Sequence, residues 1–148
     1  MPASKRPRRA YRPRAINAPV TAGLIEMFEE CLALAETGLL LRAPTAEHFD
    51  AIATVLNTIG PCALARLGKQ HAASIALTSA ALAMNAAADR AAARRRAGYP
   101  DALERMYDHE LAAVSRGIDA AREALPYLDV RSLATQRQRL ALIRAEAA

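Results

Sequence analysis

The chain contains few aromatic residues and few cysteines. Its 148 residues include no tryptophan, two phenylalanines and two cysteines, whereas about a quarter of the positions are alanine. Alanine is the best helix former, and the aromatic and β-branched residues that favour strands are scarce. A chain of this length normally folds as one domain around one core. We therefore predict an all-α protein, a single compact bundle of four to five helices.

Common signatures of catalysis and metal binding are also missing. Cys31 and Cys62 form neither a Cys-x-x-Cys pair nor another spacing typical of a metal site. The segment at Gly68 lacks the upstream glycine and the following hydroxyl of a P-loop, and no nucleophile elbow occurs. We therefore predict no enzymatic activity, no metal and no cofactor. The two cysteines are interpreted as buried, reduced thiols of a cytoplasmic protein.

Nothing in the sequence predicts secretion or membrane insertion. The basic N-terminus is followed by no apolar segment of signal-peptide length. Between Lys69 and Asp89, 19 residues carry no Lys, Arg, Asp or Glu, but their apolar content is mostly alanine. Their hydrophobicity therefore falls short of that of a spanning helix. We predict a buried central helix here, apolar nearly all round, and no contact with a membrane.

Acidic residues are absent from the start of the chain. The first 14 residues hold six of the 20 basic residues, which leaves 14 basic and 15 acidic residues for the remainder. The segment from Lys5 to Arg14, KRPRRAYRPR, repeats Arg-Pro-Arg. Proline and mutually repelling arginines disfavour a helix. We therefore predict a disordered basic arm over residues 1–18 and a helical bundle over residues 19–148.

The composition of this arm suits nucleic acid, because guanidinium groups pair with phosphates and a tyrosine can stack on a base. The residues predicted to bind DNA or RNA are Lys5, Arg6, Arg8, Arg9, Tyr11, Arg12 and Arg14. A solubilising tail, a nuclear-import signal in a eukaryotic cell and an arm that docks on an acidic protein surface remain alternatives. An arm with so few charges binds nucleic acid weakly on its own, so the bundle should add contacts or the protein should form a homodimer.

Hydrophobic periodicity predicts the helices of the bundle. The first runs from Thr21 and ends at Gly38, and the second starts at Thr45 and stops at Gly60-Pro61. The third runs from about residue 61 to 97, with a break near Gly68. Two of its apolar stripes predict neighbours on both sides and a role as the hub of the bundle; they are Ile75, Ser79, Leu82 and Ala86, and Leu77, Ala81, Met84 and Ala88.

Two further helices are expected towards the C-terminus. Asp101 and Glu104 have the spacing of a capping box and predict the start of the fourth helix. Its buried face is Leu103, Met106, Tyr107, Leu111, Val114, Ile118, Ala121 and Leu125. The fifth starts at about Ser132. We expect Leu133, Leu140 and Ile143 to point inward there, and Arg131, Arg137, Arg139 and Arg144 to point outward.

Two clusters within the predicted bundle are candidate sites. Arg90, Arg94, Arg95 and Arg96 precede Gly98 and form a secondary basic patch if the arm lies nearby; the alternative is a solvated helix end. In ERMYDHE, Glu104 and Asp108 share one predicted helical face with His109 slightly rotated from them. The Glu-x-x-His spacing of di-iron bundles is absent, so a solvated face is favoured over a metal or acid–base site.

The order of these features resembles small helical proteins encoded in phages, prophages and plasmids of high-GC proteobacteria. The resemblance rests on the basic Tyr-Arg-Pro-Arg opening, on EHFDAIATVLNTIGPCALARLG and on LERMYDHELAAVSRGIDAARE. It covers most of the chain and implies no catalytic residues. It does imply a bacterial cytoplasm and a mobile element, a setting in which small proteins bind nucleic acid or inhibit a host or defence complex.

Overall fold

The computed structural model describes residues 22–41, 44–99 and 105–148, with side chains from residue 26 onward. The predicted arm, residues 1–18, lies outside them. The described residues form helices and no β-strand, which confirms the predicted all-α bundle. The helices are α1 (Ala22–Leu40), α2 (Ala46–Leu67), α3 (Ala72–Arg96), α4 (Asp108–Ala124) and α5 (Val130–Ala147), with a short 3-10 turn (Leu125–Tyr127) between α4 and α5.

Helix α2 lies at the centre of the bundle and packs against each of the other four helices. It contributes more buried side chains than any other helix, among them Ile52, Val55 and Ile59, none of which is exposed at all. Leucines from the other elements complete the core around it; they are Leu32, Leu77, Leu125, Leu128 and Leu133. The hub is therefore α2, and the prediction that the third helix is the hub is wrong.

At two helix crossings, a glycine without a Cβ lets the helices approach closely. A Cβ placed on Gly117 of α4 would lie 2.2 Å from Cβ of Ala80 on α3. A Cβ on Gly38 of α1 would lie 2.5 Å from Cβ of His48 on α2. Because non-bonded carbon atoms rest about 3.5–4.0 Å apart, only glycine allows these helix pairs to pack at this distance.

Two predicted helix ends are wrong, and both involve a glycine that has no Cβ. Gly38 does not end α1, which continues to Leu40, because this glycine serves the close approach to α2. Pro61 does not end α2, which continues to Leu67. Proline normally clashes with the Cβ of the residue before it, but Gly60 has no Cβ. Pro61 is also exposed, so the carbonyl left without its helical donor can turn to water.

The predicted break near Gly68 is confirmed, but residues 61–67 belong to α2, so α3 starts later than predicted. It is buried on one side only. The chain leaves α2 at Gly68, which has a φ of +86°, and α3 starts at Ala72. One predicted stripe faces the core, with Leu77 1% and Met84 8% exposed and Ala81 and Ala88 half-buried. The other faces solvent and contains Ile75, Ser79, Leu82 and Ala86. The buried positions of α3 lie on one face, which packs against α2 and α4, and the second stripe is exposed.

The fourth helix also starts later than predicted. The proposed capping box, Asp101 and Glu104, lies outside the described residues. Residues 105–107 are not helical, and α4 begins at Asp108 with Tyr107 as its N-cap. A run of helix from residue 101 is therefore wrong. The buried face is confirmed at Val114, Ile118, Ala121 and Leu125, whereas the predicted burial of Tyr107 is wrong, since it is 57% exposed.

Helix α5 begins at Val130 because Asp129 caps it: the Asp129 carboxylate accepts hydrogen bonds from the backbone N–H and the hydroxyl of Ser132 at 3.0 and 2.9 Å. This is within two residues of the predicted start. Leu133 is fully buried and Leu140 half-buried, as expected. Ile143 is 52% exposed, so its predicted inward position is wrong. Leu133 is the one buried residue of α5.

The contacts fix which helix ends lie together. Gly38, near the end of α1, meets His48, near the start of α2. The start of α2 in turn shares a groove with the second half of α3. The end of α3 is therefore near the end of α1, and the start of α1 is at the opposite end of the bundle. Helix α3 alone spans about 37 Å over its 25 residues.

Candidate nucleic-acid interface

The residues predicted to bind nucleic acid directly belong to the arm and lie outside the described part of the chain; they are Lys5, Arg6, Arg8, Arg9, Tyr11, Arg12 and Arg14. The secondary basic patch is described. It lies at the end of α3, whereas the chain enters α1 at the other end of the bundle.

The end of α3 is closed by a glycine turn that presents its arginines to solvent. Gly98 has a φ of +99°, and the backbone N–H groups of Gly98 and Tyr99 donate to the carbonyls of Arg95 and Arg94, both at 3.1 Å. This is the Schellman arrangement. Arg94, Arg95 and Arg96 occupy the last turn, and all three are exposed. Cations are stabilised there by the negative end of the helix dipole.

Two exposed tyrosines lie beside arginines of α3: Tyr99 beside Arg94, and Tyr107 beside Arg90. Tyr99 is 62% exposed, and the guanidinium carbon of Arg94 lies 6.0 Å from the centre of its ring. Tyr107 is 57% exposed and stacks on His109 with 5.9 Å between ring centres. Such a surface suits single-stranded nucleic acid, because bases stack on aromatic rings and phosphates pair with arginines. Tyr99 was not predicted as a site residue, although its place between Gly98 and Pro100 marked an exposed turn.

Arg90 differs from the rest of the patch because its charge is already paired. Its guanidinium donates to both carboxylate oxygens of Glu110 on α4, at 2.7 Å for Oε1, and to the carbonyl of Arg105 at 2.8 Å. The guanidinium carbon also lies 4.3 Å from the centre of the Tyr107 ring. Arg90 therefore ties α3 to the start of α4 and has little capacity left for a phosphate.

Glu110 is the acidic residue that pairs with Arg90, and this role was not predicted from the sequence. Its side chain is 6% exposed, and its Oε2 accepts from the backbone N–H of Tyr107 at 2.8 Å. The hydrogen bonds from Arg90 lower the pKa of Glu110 below its usual value, and the Tyr107 bond adds to this. The same pairing raises the pKa of Arg90. A glutamate three residues after an N-cap was the available signal, but tyrosine is an unusual N-cap.

The helical face predicted to carry Glu104 and Asp108 together is not formed, because residues 105–107 are not helical. Glu104 lies outside the described residues, and Asp108 and His109 are both exposed in the first turn of α4. Within residues 22–41, 44–99 and 105–148, no three His, Cys, Asp or Glu side chains are grouped as metal ligands would be. Asp108 instead complements the positive end of the α4 dipole.

The two cysteines differ in burial. Cys62 is buried, as predicted, whereas Cys31 is half-buried. Burial raises the pKa of the Cys62 thiol to about 11, and the negative charge of Asp129 acts in the same direction. A thiol with this pKa is almost entirely protonated at neutral pH and is a poor nucleophile or metal ligand.

One groove has a largely apolar wall. It runs between the first half of α2 and the second half of α3, with a volume of about 280 Å³, and its lining includes Phe49, Leu56 and Met84. Asp50 at its edge binds Arg144 of α5 at 2.6 Å. The groove is thus a hydrophobic concavity without a free cation, which suits an apolar side chain better than a phosphate.

Comparison with known proteins gave no relatives: no protein-family model, curated protein or solved structure matches this chain. None of the helices in the described ranges has the length and apolar character needed to cross a bilayer.

Proposed function

We propose that this chain is a non-enzymatic binding protein of a bacterial mobile element, acting in the cytoplasm, whose arm contacts nucleic-acid phosphates. Lys5, Arg6 and the four arginines Arg8, Arg9, Arg12 and Arg14 would pair with phosphates, and Tyr11 would stack on a base. The observation that carries the proposal is the charge distribution. Six basic residues and no acidic residue precede residue 15, whereas the remaining chain has a net charge of −1, with 14 basic and 15 acidic residues.

The ion pairs of the bundle support this division of roles. Arg90 is paired with Glu110, Arg122 with both Glu29 and Glu36, and Arg144 with Asp50. These pairs join α3 to α4, α4 to α1 and α5 to α2, so the three arginines serve the fold. The exposed Arg94–Arg96 turn with Tyr99 is the described surface best suited to a second nucleic-acid contact.

Binding should depend strongly on salt if the arm contacts phosphates. Six phosphate contacts give a slope of log K against log salt of about −4 for single strands and −5 for duplex DNA. From 50 to 200 mM NaCl, affinity should therefore fall roughly 300- to 1,800-fold. Fluorescence anisotropy with a labelled 20-nucleotide strand and a 20-base-pair duplex measures this directly.

Three variants separate the arm from the bundle. Changing all six basic arm residues to Gln keeps the length and the prolines and should remove most of the affinity and of the salt slope. Changing Arg94, Arg95 and Arg96 to Gln should have a smaller effect, with a slope reduced by at most about three. The matched control changes Arg131, Arg137 and Arg139 on α5 to Gln and should bind like the wild type. Equal binding by the wild type and the arm variant would disprove the proposal.

The second candidate is a protein-interaction module, in which the arm docks on an acidic protein and the groove between α2 and α3 holds an apolar side chain. The groove, with Phe49 and Met84 in its wall, is the observation that favours it. Poly-glutamate of matched charge provides the discriminating probe. If it competes as well as the oligonucleotide, charge alone is being recognised and an acidic protein becomes the better candidate partner.

A further inference from the structure

The solvent side of α3 is uncharged and partly apolar from Ala72 to Ala86, and the exposed Asp89 follows it one turn later. We define the α3 outer face as Ala72, Ile75, Ser79, Leu82 and Ala86, all of which are exposed. Ile75 is 51% and Leu82 is 65% exposed. The exposed positions beside this face are Thr78 and Asn85, which are also uncharged. An exposed helix face normally carries charged residues, so an apolar face about 20 Å long indicates an interaction surface.

The spacing of these residues indicates what kind of helix would fit. They follow one another at intervals of 3, 4, 3 and 4, which is the a and d pattern of a coiled-coil seam. The large residues Ile75 and Leu82 occupy one heptad position, and the small residues Ala72, Ser79 and Ala86 occupy the other. The face therefore alternates ridges and hollows with a regular seven-residue repeat.

We propose that the α3 outer face binds the same face of a second copy of this chain, with the two α3 helices antiparallel. In this orientation, Leu82 of one copy lies opposite Ser79 of the other, and Ile75 lies opposite Ala86. Each of these layers pairs one large with one small side chain, so the ridges of one copy fill the hollows of the other, while Ala72 lies opposite the exposed Asp89 at the edge of the seam. A parallel pair would place Leu82 against Leu82 and alanine against alanine, which gives alternating crowded and empty layers.

Charge at the C-terminal end of α3 disfavours the parallel orientation. The Arg94–Arg96 turn lies at the C-terminal end of α3. A parallel pair would bring the two turns side by side, where six like charges repel. An antiparallel pair places them at opposite ends of the interface, about 20 Å or more apart. The uncharged middle of the face introduces no repulsion in either copy.

A second copy fits this face better than the other candidates. The basic arm finds no carboxylate on it, and a nucleic acid finds no cation, because residues 70–88 contain no Lys, Arg, Asp or Glu. The seam is short, with two large side chains per copy, and it is smaller than a standard interface of about 800 Å² per partner. We therefore expect a monomer–dimer equilibrium with a dissociation constant on the order of micromolar.

Sedimentation velocity on the full chain, from 5 to 500 µM without nucleic acid, tests the dimer separately from the proposed function. Leu82→Glu should raise the dissociation constant at least about 100-fold, because each dimer loses two buried leucines. Leu142→Glu on α5 is the matched control, since Leu142 is 60% exposed, and it should dimerise like the wild type. Circular dichroism should show that both variants keep their helical content.

Cysteine cross-linking in a Cys31→Ser background tests the orientation. The double variant Ile75→Cys/Ala86→Cys should form a covalent dimer on mild oxidation, whereas Ala86→Cys alone should not, because its two copies lie about 16 Å apart along an antiparallel pair. Efficient cross-linking of Ala86→Cys alone would overturn the antiparallel arrangement. A wild type that stays monomeric at 500 µM, a Leu82→Glu variant that still dimerises, or equal loss in Leu142→Glu would overturn the interface.

Discussion

Gly117 of α4 packs against Ala80 of α3 with no room for a methyl group, so Gly117→Ala is a sharp test of the bundle. The added Cβ would lie 2.2 Å from the Ala80 Cβ and 3.4 Å from the Ala76 carbonyl oxygen. Both Cβ atoms are fixed to their backbones, so no change of rotamer relieves the overlap. The two helices must separate by more than 1 Å, which also loosens the contact with Leu56 behind them.

Two opposing effects decide the size of the change. Alanine is about 1 kcal/mol more favourable than glycine inside a helix, whereas overpacking of a core costs about 1–3 kcal/mol and occasionally more. An overlap of this size belongs at the upper end, so we expect Gly117→Ala to lower the free energy of unfolding by about 1–2 kcal/mol. The melting temperature should fall by roughly 3–8 °C for a chain of this length.

A double-mutant cycle supplies the control. Ala80→Gly alone should destabilise by about 1 kcal/mol, through helix propensity. The swap Gly117→Ala/Ala80→Gly moves the methyl group from one helix to the other and should be within about 1 kcal/mol of the wild type, so the two changes are strongly non-additive. Urea unfolding followed by circular dichroism measures all four proteins. A Gly117→Ala variant as stable as the wild type would refute the close crossing of α3 and α4.

Other parts of the bundle yield three further predictions. The Thr58 hydroxyl is buried without a hydrogen-bond partner among the described residues, so Thr58→Val should stabilise the protein by about 1 kcal/mol, measured as a shift of the urea midpoint. The control Thr54→Val removes the 2.7 Å hydrogen bond to the Asp50 carbonyl and should not stabilise the protein. The lowered pKa of Glu110 stabilises the fold above its usual pKa of 4.5, and this contribution is lost as pH falls through the folded value. Glu110→Gln should therefore unfold more easily at neutral pH and lose less stability on acidification, measured as urea midpoints from pH 7 to 3. A thiol reagent at pH 8 should label Cys31 first and Cys62 only after unfolding, because the pKa of Cys62 is about 11; equal rates would contradict its burial.

The fold class and the buried face of α4 were predictable because they follow from strong periodic patterns. Val114 and Ile118 sit one turn apart among polar residues, so their burial was clear. The buried side of α3 was not predictable, since alanine fits both a core and a surface and both stripes contained leucine or methionine. The extension of α2 past Pro61 depends on the missing Cβ of Gly60, a steric detail that a breaker rule applied residue by residue overlooks.

The candidate site was less predictable than the fold. A run of arginines is visible in a sequence, but its pairing is not: Arg90 looked like part of one patch with Arg94 and is instead bound to a carboxylate 20 residues further along the chain. Whether an arginine is available to a ligand depends on contacts between helices, which a single sequence does not show. Glu110 was overlooked for the same reason, because its importance comes from a partner on α3.

The sparse anchoring of α5 has a consequence for local unfolding. Leu133 is its one buried residue, and the Arg144–Asp50 pair is exposed and therefore worth at most about 1 kcal/mol. The second half of α5 can thus detach without opening the core, at a free-energy cost well below that of global unfolding. Its amide hydrogens should exchange with solvent long before those in the buried middle of α2, and protease should reach Arg139 in the otherwise native protein. The free energy of local unfolding therefore differs between the helices, and α5 should unfold first and α2 last.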